Sequence, residues 1–267
     1  MFEFQLFPPS PFLLLHLPLH PAILTSTMEL HPPQWHDSLT STNSVLLDWI
    51  KEGKEIPDGF VLAAREQTAG RGRGDRSWDA GAGKNLTFSF VLTDDASPQR
   101  LVSIPMTVAL SVAECLDGYG LVPNVKWPND VLSDGKKLCG ILTEKTGDRV
   151  VVGIGINVNM SEEEAAAIDR PATSLMIETA QPHYVETIFA TLQPHLERRV
   201  EDWETDGFAA IAADWSARCH KLYEEIEVGD GDNKQTGILA GFGDFGQLIL
   251  RLPDDTETEV WAGDVGF

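Results

Sequence analysis

The stretch Arg149-Val-Val-Val-Gly-Ile-Gly-Ile-Asn-Val158 is apolar and β-branched almost throughout, which is typical of a strand in the middle of a sheet. A second apolar run, Lys137-Leu-Cys-Gly-Ile-Leu-Thr-Glu144, lies just before it. The turn sequence Ser133-Asp-Gly-Lys136 separates this run from Val131-Leu132, and that pattern predicts a hairpin. These neighbouring segments predict that the chain is built on a sheet with antiparallel pairs.

Further segments on both sides of this core extend the prediction. Two more strands are expected over Gly59–Arg65 and Asn85–Leu92, and a short strand over Asn124–Trp127. Apolar residues at helical spacing predict helices over four longer ranges: Thr42–Ile50, Leu101–Leu116, Tyr184–Trp203 and Phe208–Cys219. Ser161 and Glu164 form a capping-box pattern for another short helix. The mixture of helices and antiparallel strands predicts an α+β fold, with a mixed or antiparallel sheet flanked by helices.

The two ends of the chain differ from its middle. Beyond Lys221, short strand-like runs are separated by repeated glycines, so a small all-β domain is expected over 221–267 and the main domain over 28–220. Residues 1–27 are apolar and proline-rich, and no Lys or Arg precedes Lys51. Proline at this density opposes a spanning helix, and a secretory signal would begin with basic residues. We expect 1–27 to be a disordered or non-native extension.

The bulk composition narrows the functional classes. Forty-one acidic residues against 20 basic ones give a net charge of -21, which repels nucleic acid phosphates. The simpler interpretation of this charge is that it keeps the protein in solution. The three cysteines are scattered, with no spacing that suggests zinc or a disulfide framework, so a reducing compartment and a cytoplasmic location are expected.

The segment Gln67-Thr-Ala-Gly-Arg-Gly-Arg-Gly-Asp-Arg-Ser-Trp78 carries the most chemical information. Three glycines and three arginines alternate from Gly70 to Arg76 in an otherwise acidic chain. Glycines allow the backbone close to a ligand, and arginines recognise carboxylate and phosphate groups. The pattern is not a P-loop, because Gly-x-x-x-x-Gly-Lys-Ser/Thr is absent. The alternative is a flexible surface loop, which would not account for the strand before it.

The remaining polar and glycine-containing segments indicate a ligand site only when they are considered together. Lys126-Trp-Pro-Asn-Asp130 places a cation, an amide and a carboxylate on one turn, although it could equally be a plain strand-end turn. Lys137, beside an apolar run, is suited to the edge of a pocket. Gly153-Ile-Gly-Ile-Asn157 puts glycines in a strand, which indicates close approach of either a ligand or tightly packed core atoms.

In this order, these segments resemble the catalytic domain of biotin–protein ligases, and Ser41-Thr-Asn43 matches the biotin-site triplet of that family. The resemblance covers the chain from about His36 to its end. It implies a class II synthetase-like catalytic domain followed by a small SH3-like β-barrel. It also implies a set of residues that bind biotin and its adenylate: Ser41, Thr42, Asn43, Gln67, Gly70, Arg71, Gly72, Arg73, Trp78, Lys126, Asn129, Lys137, Gly140 and Asn157.

The resemblance further implies an activity and its participants. Biotin is adenylated with ATP and Mg²⁺ and is then transferred to a lysine of the biotin carboxyl carrier protein of acetyl-CoA carboxylase or a related carboxylase. Lys137, Arg73 and Asp130 are the implied catalytic residues, and no residue is predicted to ligate a metal directly. The loop departs from the family pattern at Gly74-Asp75-Arg76, where Arg-Gly-Arg is common, so Asp75 could weaken nucleotide binding or point outward.

Two other functions compete with this one. Lipoate ligases, which have a related fold and act on lipoate or octanoate, have a motif similar to Lys126–Asp130. The Gly70–Arg76 loop and the C-terminal β domain favour biotin instead. A biotin-sensing repressor needs a DNA-binding domain, and the roughly 35 residues before Trp35 lack any basic residue for phosphate or base contacts. We therefore expect a ligase of the type without a DNA-binding domain, acting as a monomer or homodimer, with neither nucleic acid nor membrane as partner.

Overall fold

The structure is a computed structural model that describes residues 28–74, 76–78, 81–94, 97–229 and 234–266. The expectations for residues 1–27 and for Asp75 fall outside these ranges. Met28 and Leu30 already belong to the apolar core, and the Leu30 amide donates to Glu197 Oε1 at 2.9 Å. Ordered packing therefore includes the first described residues. Among the described residues, no helix combines the length and apolar character needed to cross a membrane.

The main domain is a seven-stranded mixed sheet with helices on both faces. The first two strands pair in parallel and all other neighbours pair antiparallel, in the order β1-β2-β3-β7-β6-β5-β4. The strands are β1 (Gln34–His36), β2 (Val61–Ala64), β3 (Leu86–Thr93), β4 (Asn124–Lys126), β5 (Asp130–Ser133), β6 (Lys136–Thr146) and β7 (Arg149–Ile156). The helices are α1 (Thr42–Lys51), α2 (Ile104–Asp117), α3 (Glu162–Ala166), α4 (Leu175–Thr179), α5 (Val185–Asp206) and α6 (Ala212–Arg218).

The α+β architecture confirms the sequence prediction, with local differences. The first turn of the predicted 101–116 helix is a 3-10 turn, Arg100–Ser103, that leads into α2. The predicted helix over 208–219 is likewise divided into a 3-10 turn, Gly207–Ala210, and α6. Ser161 and Glu164 form both hydrogen bonds of the capping box at α3. Two elements were not predicted, β1 and α4.

The alternation of β7 assigns the two faces of the sheet. Val150, Val152 and Ile154 point into the large apolar core, which also contains residues of α2 and α5. Val151, one residue out of phase, belongs to a smaller cluster formed with α1. Gly153 and Gly155 continue the Val151 face, so the strand has no side chains there, near the beginning of α1.

The C-terminal residues form a separate antiparallel sheet of five strands, ordered β11-β10-β9-β8-β12. They are β8 (Glu225–Gly229), β9 (Gln235–Phe242), β10 (Leu248–Arg251), β11 (Glu257–Val260) and β12 (Asp264–Val265). The predicted all-β segment is present, but the SH3-like barrel is not confirmed. Within the described ranges, no pairing joins the edge strands β11 and β12, so the sheet is not closed.

The second sheet packs directly against the main domain. The Trp127 indole donates to the Gly246 carbonyl at 2.9 Å, and Leu239 and Leu248 belong to the same apolar core as α2. Gly246 has φ of +87°, and a Cβ there would lie 2.8 Å from Met106 Sδ. Because only glycine combines this backbone angle with so close an approach, the β9–β10 turn is fitted to the main domain.

Candidate active site

A cavity of about 640 Å³ lies on the α1 side of the main sheet. Its volume falls within the usual range of small-molecule sites. The beginning of α1, the arginine–glycine loop (described residues 70–74 and 76–78), strands β6 and β7, and the segment 167–172 surround it. Thirteen of the residues predicted for binding or catalysis line it: Ser41, Thr42, Asn43, Gln67, Arg71, Gly72, Arg73, Trp78, Asn129, Asp130, Lys137, Gly140 and Asn157.

One end of the cavity is a network of uncharged polar groups at the first turn of α1. Ser41 caps the helix by accepting from the Ser44 amide. The Thr42 amide donates to Gln67 Oε1 at 2.8 Å, and the Thr42 hydroxyl lies 2.6 Å from that of Ser89. The Ser89 hydroxyl also donates to Asn43 Oδ1 at 2.6 Å. Hydroxyl and amide groups are thereby fixed in position at this end.

Asn43 connects this network to the arginine–glycine loop through Glu144. Its amide nitrogen donates to the Leu142 carbonyl at 3.1 Å and to Glu144 Oε2 at 2.9 Å. The same carboxylate oxygen is 2.6 Å from Arg71 Nη2. The conformation of the Arg71 side chain is therefore coupled to that of Asn43.

The two glycines of β7 make room for site side chains. A Cβ on Gly153 would lie 2.2 Å from Asn43 Oδ1, and one on Gly155 would lie 2.3 Å from Trp78 Cε2. The glycines pack closely against Asn43 and Trp78, and both glycines line the cavity themselves. Trp78 Nε1 is buried and has no hydrogen-bond partner among the described residues.

The arginine–glycine loop is a small hairpin rather than an extended surface loop. Gly72 N donates to the Arg76 carbonyl at 2.8 Å, and Trp78 N donates to the Gly70 carbonyl at 2.9 Å. A Cβ on Gly70 would lie 2.2 Å from the Trp78 carbonyl oxygen, so the base of the hairpin requires glycine. Gly70 does not line the cavity; it brings the two strands of the hairpin together.

The rest of the cavity carries several cationic side chains. Five cationic side chains line the described cavity against two carboxylates, Asp130 and Asp169; the cations are Arg71, Arg73, Arg76, Lys137 and Arg170. Lys137 Nζ lies 2.6 Å from Asp130 Oδ1. Arg73 Nη1 donates to Asp264 Oδ1 at 2.8 Å and lies 3.4 Å from Asn129 Oδ1. Arg71 is also paired with Glu144, and Arg73 and Arg76 with Asp264. A bound anion would therefore compete with these carboxylates for the cations.

The segment that follows α3 holds Lys137 in place. Lys137 N donates to the Pro171 carbonyl at 2.9 Å, and Thr173 N donates back to the Lys137 carbonyl at 2.9 Å. Asn157 Nδ2 donates to the Thr173 carbonyl at 3.0 Å. Asn157 therefore contributes to the wall that fixes the backbone of Lys137, in addition to lining the cavity.

Lys126 does not line the cavity. It is 4% exposed, and burial lowers its pKa from 10.5 to about 8, partly offset by nearby Asp130. It lies beneath the site rather than in it. Sequence reasoning did not find the segment 167–172, with Ile168, Asp169 and Arg170 on the cavity, because this segment has neither a motif nor a periodic pattern. Its one signal is the arginine–proline pair that follows the short capped helix.

Comparisons with known proteins show which family this chain belongs to. The model of the biotin/lipoate A/B protein ligase family matches residues 35–161. The biotin–[acetyl-CoA-carboxylase] ligase of Mycobacterium tuberculosis is 37% identical over 232 residues, covering 84% of this chain and 85% of that protein. The enzyme of the same name from Paracoccus denitrificans is 34% identical, covering 80% of this chain and 93% of the relative.

A solved structure extends the similarity to three dimensions. The biotin protein ligase from Aquifex aeolicus in complex with biotin and ATP superimposes with a TM-score of 0.75 at 29% identity, covering 88% of this chain and 97% of that one. The chain belongs to the biotin–protein ligases of the biotin/lipoate A/B protein ligase family.

Proposed function

We propose that this protein is an ATP-dependent biotin–protein ligase. It forms biotinyl-5′-AMP and pyrophosphate, and then transfers biotin to a lysine of the biotin carboxyl carrier protein of acetyl-CoA carboxylase or a related carboxylase. The observation that carries the proposal is a single cavity that joins a neutral polar end to a cationic end. Biotin has the matching polarity, with a neutral ureido ring at one end and a carboxylate at the other.

The neutral end suits the ureido ring. A ureido group offers two N–H donors and one carbonyl acceptor, so it needs both acceptors and donors around it. The network formed by Ser41, Thr42, Asn43 and Gln67 provides hydroxyl and amide groups of both kinds. Trp78 adds an apolar wall and a buried indole N–H for which the described residues offer no acceptor.

The cationic end suits adenylation. A biotin carboxylate oxygen attacks the α-phosphorus of ATP, the bond from that phosphorus to the bridging oxygen breaks, and pyrophosphate leaves. Two anions must therefore approach each other, at a cost that rises as the dielectric falls. Lys137 and Arg73 both line this cavity, and we infer that they neutralise the carboxylate and the developing charge on the α-phosphate.

Among the described residues, no group of three or more His, Cys, Asp or Glu side chains could hold a metal ion, so Asp130 on the cavity would help to hold Mg²⁺ only indirectly, together with the substrate phosphates. Mg²⁺ in nucleotide sites is commonly bound by one or two carboxylates together with substrate phosphates. The ion would supply charge neutralisation for the departing pyrophosphate. Meanwhile Asp130 also pairs with Lys137 at 2.6 Å and so orients its ammonium group.

In the second half-reaction, the ε-amine of the carrier lysine attacks the carbonyl carbon of the mixed anhydride. An amide bond forms, AMP leaves with the electrons of the broken C–O bond, and the amine loses a proton. The intermediate has to be shielded from water until the carrier arrives. The arginine–glycine loop, which borders the cavity with Arg71, Gly72 and Arg73, is placed for this task.

The test is acid-dependent ATP–pyrophosphate exchange in Mg²⁺, with biotin, lipoate and octanoate measured in parallel. Exchange with biotin alone is expected. Exchange with lipoate or octanoate would instead make the protein a ligase of the sister type, and no exchange with any acid would refute the proposal. A carrier domain and its variant lacking the acceptor lysine then separate transfer to the carrier from nonspecific labelling.

A further inference from the structure

The C-terminal sheet contacts the arginine–glycine loop through one carboxylate. Arg73 Nη1 donates to Asp264 Oδ1 at 2.8 Å and to the Gly263 carbonyl at 3.1 Å. Arg76 forms an ion pair with the other oxygen, Asp264 Oδ2. Two loop arginines on the cavity are thus bound to a residue that lies 191 positions beyond Arg73 in the sequence and outside the main sheet.

The backbone around Asp264 is fixed on both sides. Asp264 pairs with Gly229 in the β8–β12 ladder, Val265 is 2% exposed, and Gly266 N donates to the Glu227 carbonyl at 2.8 Å. Gly263 has φ of +125°, and a Cβ there would lie 2.9 Å from Gly229 Cα. The carboxylate is therefore held by a strand that is paired with β8, while the loop brings its arginines to it.

We propose that Asp264 is a positioning residue that keeps the arginine–glycine loop closed over the biotinyl-adenylate, an inference that rests on the proposed function. The hairpin bonds of the loop fix its shape, while its position over the cavity depends on its side-chain contacts. Arg71 pairs with Glu144 of the main sheet at 2.6 Å, and the two Asp264 ion pairs tie the loop to the second sheet. The Arg73 and Asp264 side chains are 27% and 21% exposed, so the contact is accessible enough to open when the carrier lysine enters.

Asp264→Asn tests the proposal, because it keeps the shape of the side chain and removes its charge. The readout is the partition of adenylate between the carrier domain and bystander lysines of added serum albumin, with the rate of biotin-dependent exchange measured alongside. Weakened charge-assisted contacts should increase labelling of the albumin relative to the carrier roughly 5-fold. A role limited to holding the C-terminal sheet together would lower both activities without changing the partition.

Two variants serve as controls. Glu257→Gln removes a carboxylate of the same sheet that pairs with Arg251 at 3.0 Å, and it should leave the partition unchanged. Asp264→Glu retains the charge and should return the partition most of the way to that of the unaltered protein. In the double variant with Arg73→Gly, Asp264→Asn should add less leakage than it does alone, because the two residues act through one contact.

The outcomes separate the inference from the function on which it rests. An unaltered protein without biotin-dependent exchange refutes the proposed function itself. Normal exchange by that protein, with the partition of Asp264→Asn equal to that of Glu257→Gln, refutes only the role of Asp264. If Asp264→Asn fails to fold in a thermal unfolding measurement, Arg76→Ala breaks the same contact from the loop side, and the same comparison decides.

Discussion

Lys137→Met removes the ammonium group at the cationic end of the cavity and keeps most of the aliphatic stem. The Lys137 side chain is 24% exposed, so an effective dielectric of about 20 is appropriate. A unit charge about 4 Å from a phosphate oxygen is then worth about 4 kcal/mol, part of which is offset because the ground state is also stabilised. We expect the rate of adenylation to fall about 10²- to 10³-fold.

Single-turnover formation of biotinyl-adenylate, measured with radiolabelled ATP, gives this rate directly. Lys136→Ala is the matched control, since Lys136 precedes Lys137 on β6 but is exposed and does not line the cavity. It should retain the full rate. Adenylation by Lys137→Met within threefold of the unaltered protein would refute the electrostatic role assigned to Lys137.

Gly155→Ala places a methyl group 2.3 Å from Trp78 Cε2, so the KM for biotin should increase roughly 10-fold or more; an unchanged KM would mean that Trp78 does not contact biotin. Arg73→Gly should increase labelling of bystander proteins at the expense of the carrier, and equal labelling in both enzymes would count against a shielding loop. Burial lowers the pKa of Lys126 to about 8, so the folded protein holds the proton of this side chain less tightly than the unfolded chain does. The neutral lysine is therefore tolerated above pH 10.5, and this stability is lost as the pH falls through 8, where the buried side chain becomes charged. Relative to Lys126→Met, the free energy of unfolding should therefore rise by about 3 kcal/mol from pH 8 to pH 10.5, and parallel pH profiles of the two proteins would contradict this.

The sequence is most informative where local physics determines the structure. The apolar run of β7 and the capping box of Ser161 and Glu164 both depend on neighbours within a few residues, and both occur as predicted. β1 was missed because it has only three residues and is stabilised by parallel pairing with β2, which lies 28 positions further along the chain. No local periodicity reports such a pairing.

In the site, too, local motifs were predicted and contacts between distant segments were not. The family motifs identified most of the cavity lining, since each motif is a short run of adjacent residues. They did not distinguish Lys126, which is buried beneath the site, from Asn129 and Asp130, which line it, because the motif does not reveal which way each side chain points. Asp264 was not found either. Its contacts with Arg73 and Arg76 form only when the second sheet packs against the loop, and no local sequence pattern reports that packing.

The hydrogen bond between Trp127 and the Gly246 turn limits how domains of related ligases can be combined in a chimeric protein. The indole donor belongs to the same motif as Asn129 and Asp130, while its acceptor belongs to the C-terminal sheet. Exchanging that sheet for one from another ligase would disturb the turn that carries the cavity amide and carboxylate, unless the incoming turn offers a carbonyl in the same place. A functional chimera therefore needs a carbonyl at the position of Gly246, which is ensured when both sides of this junction come from one parent.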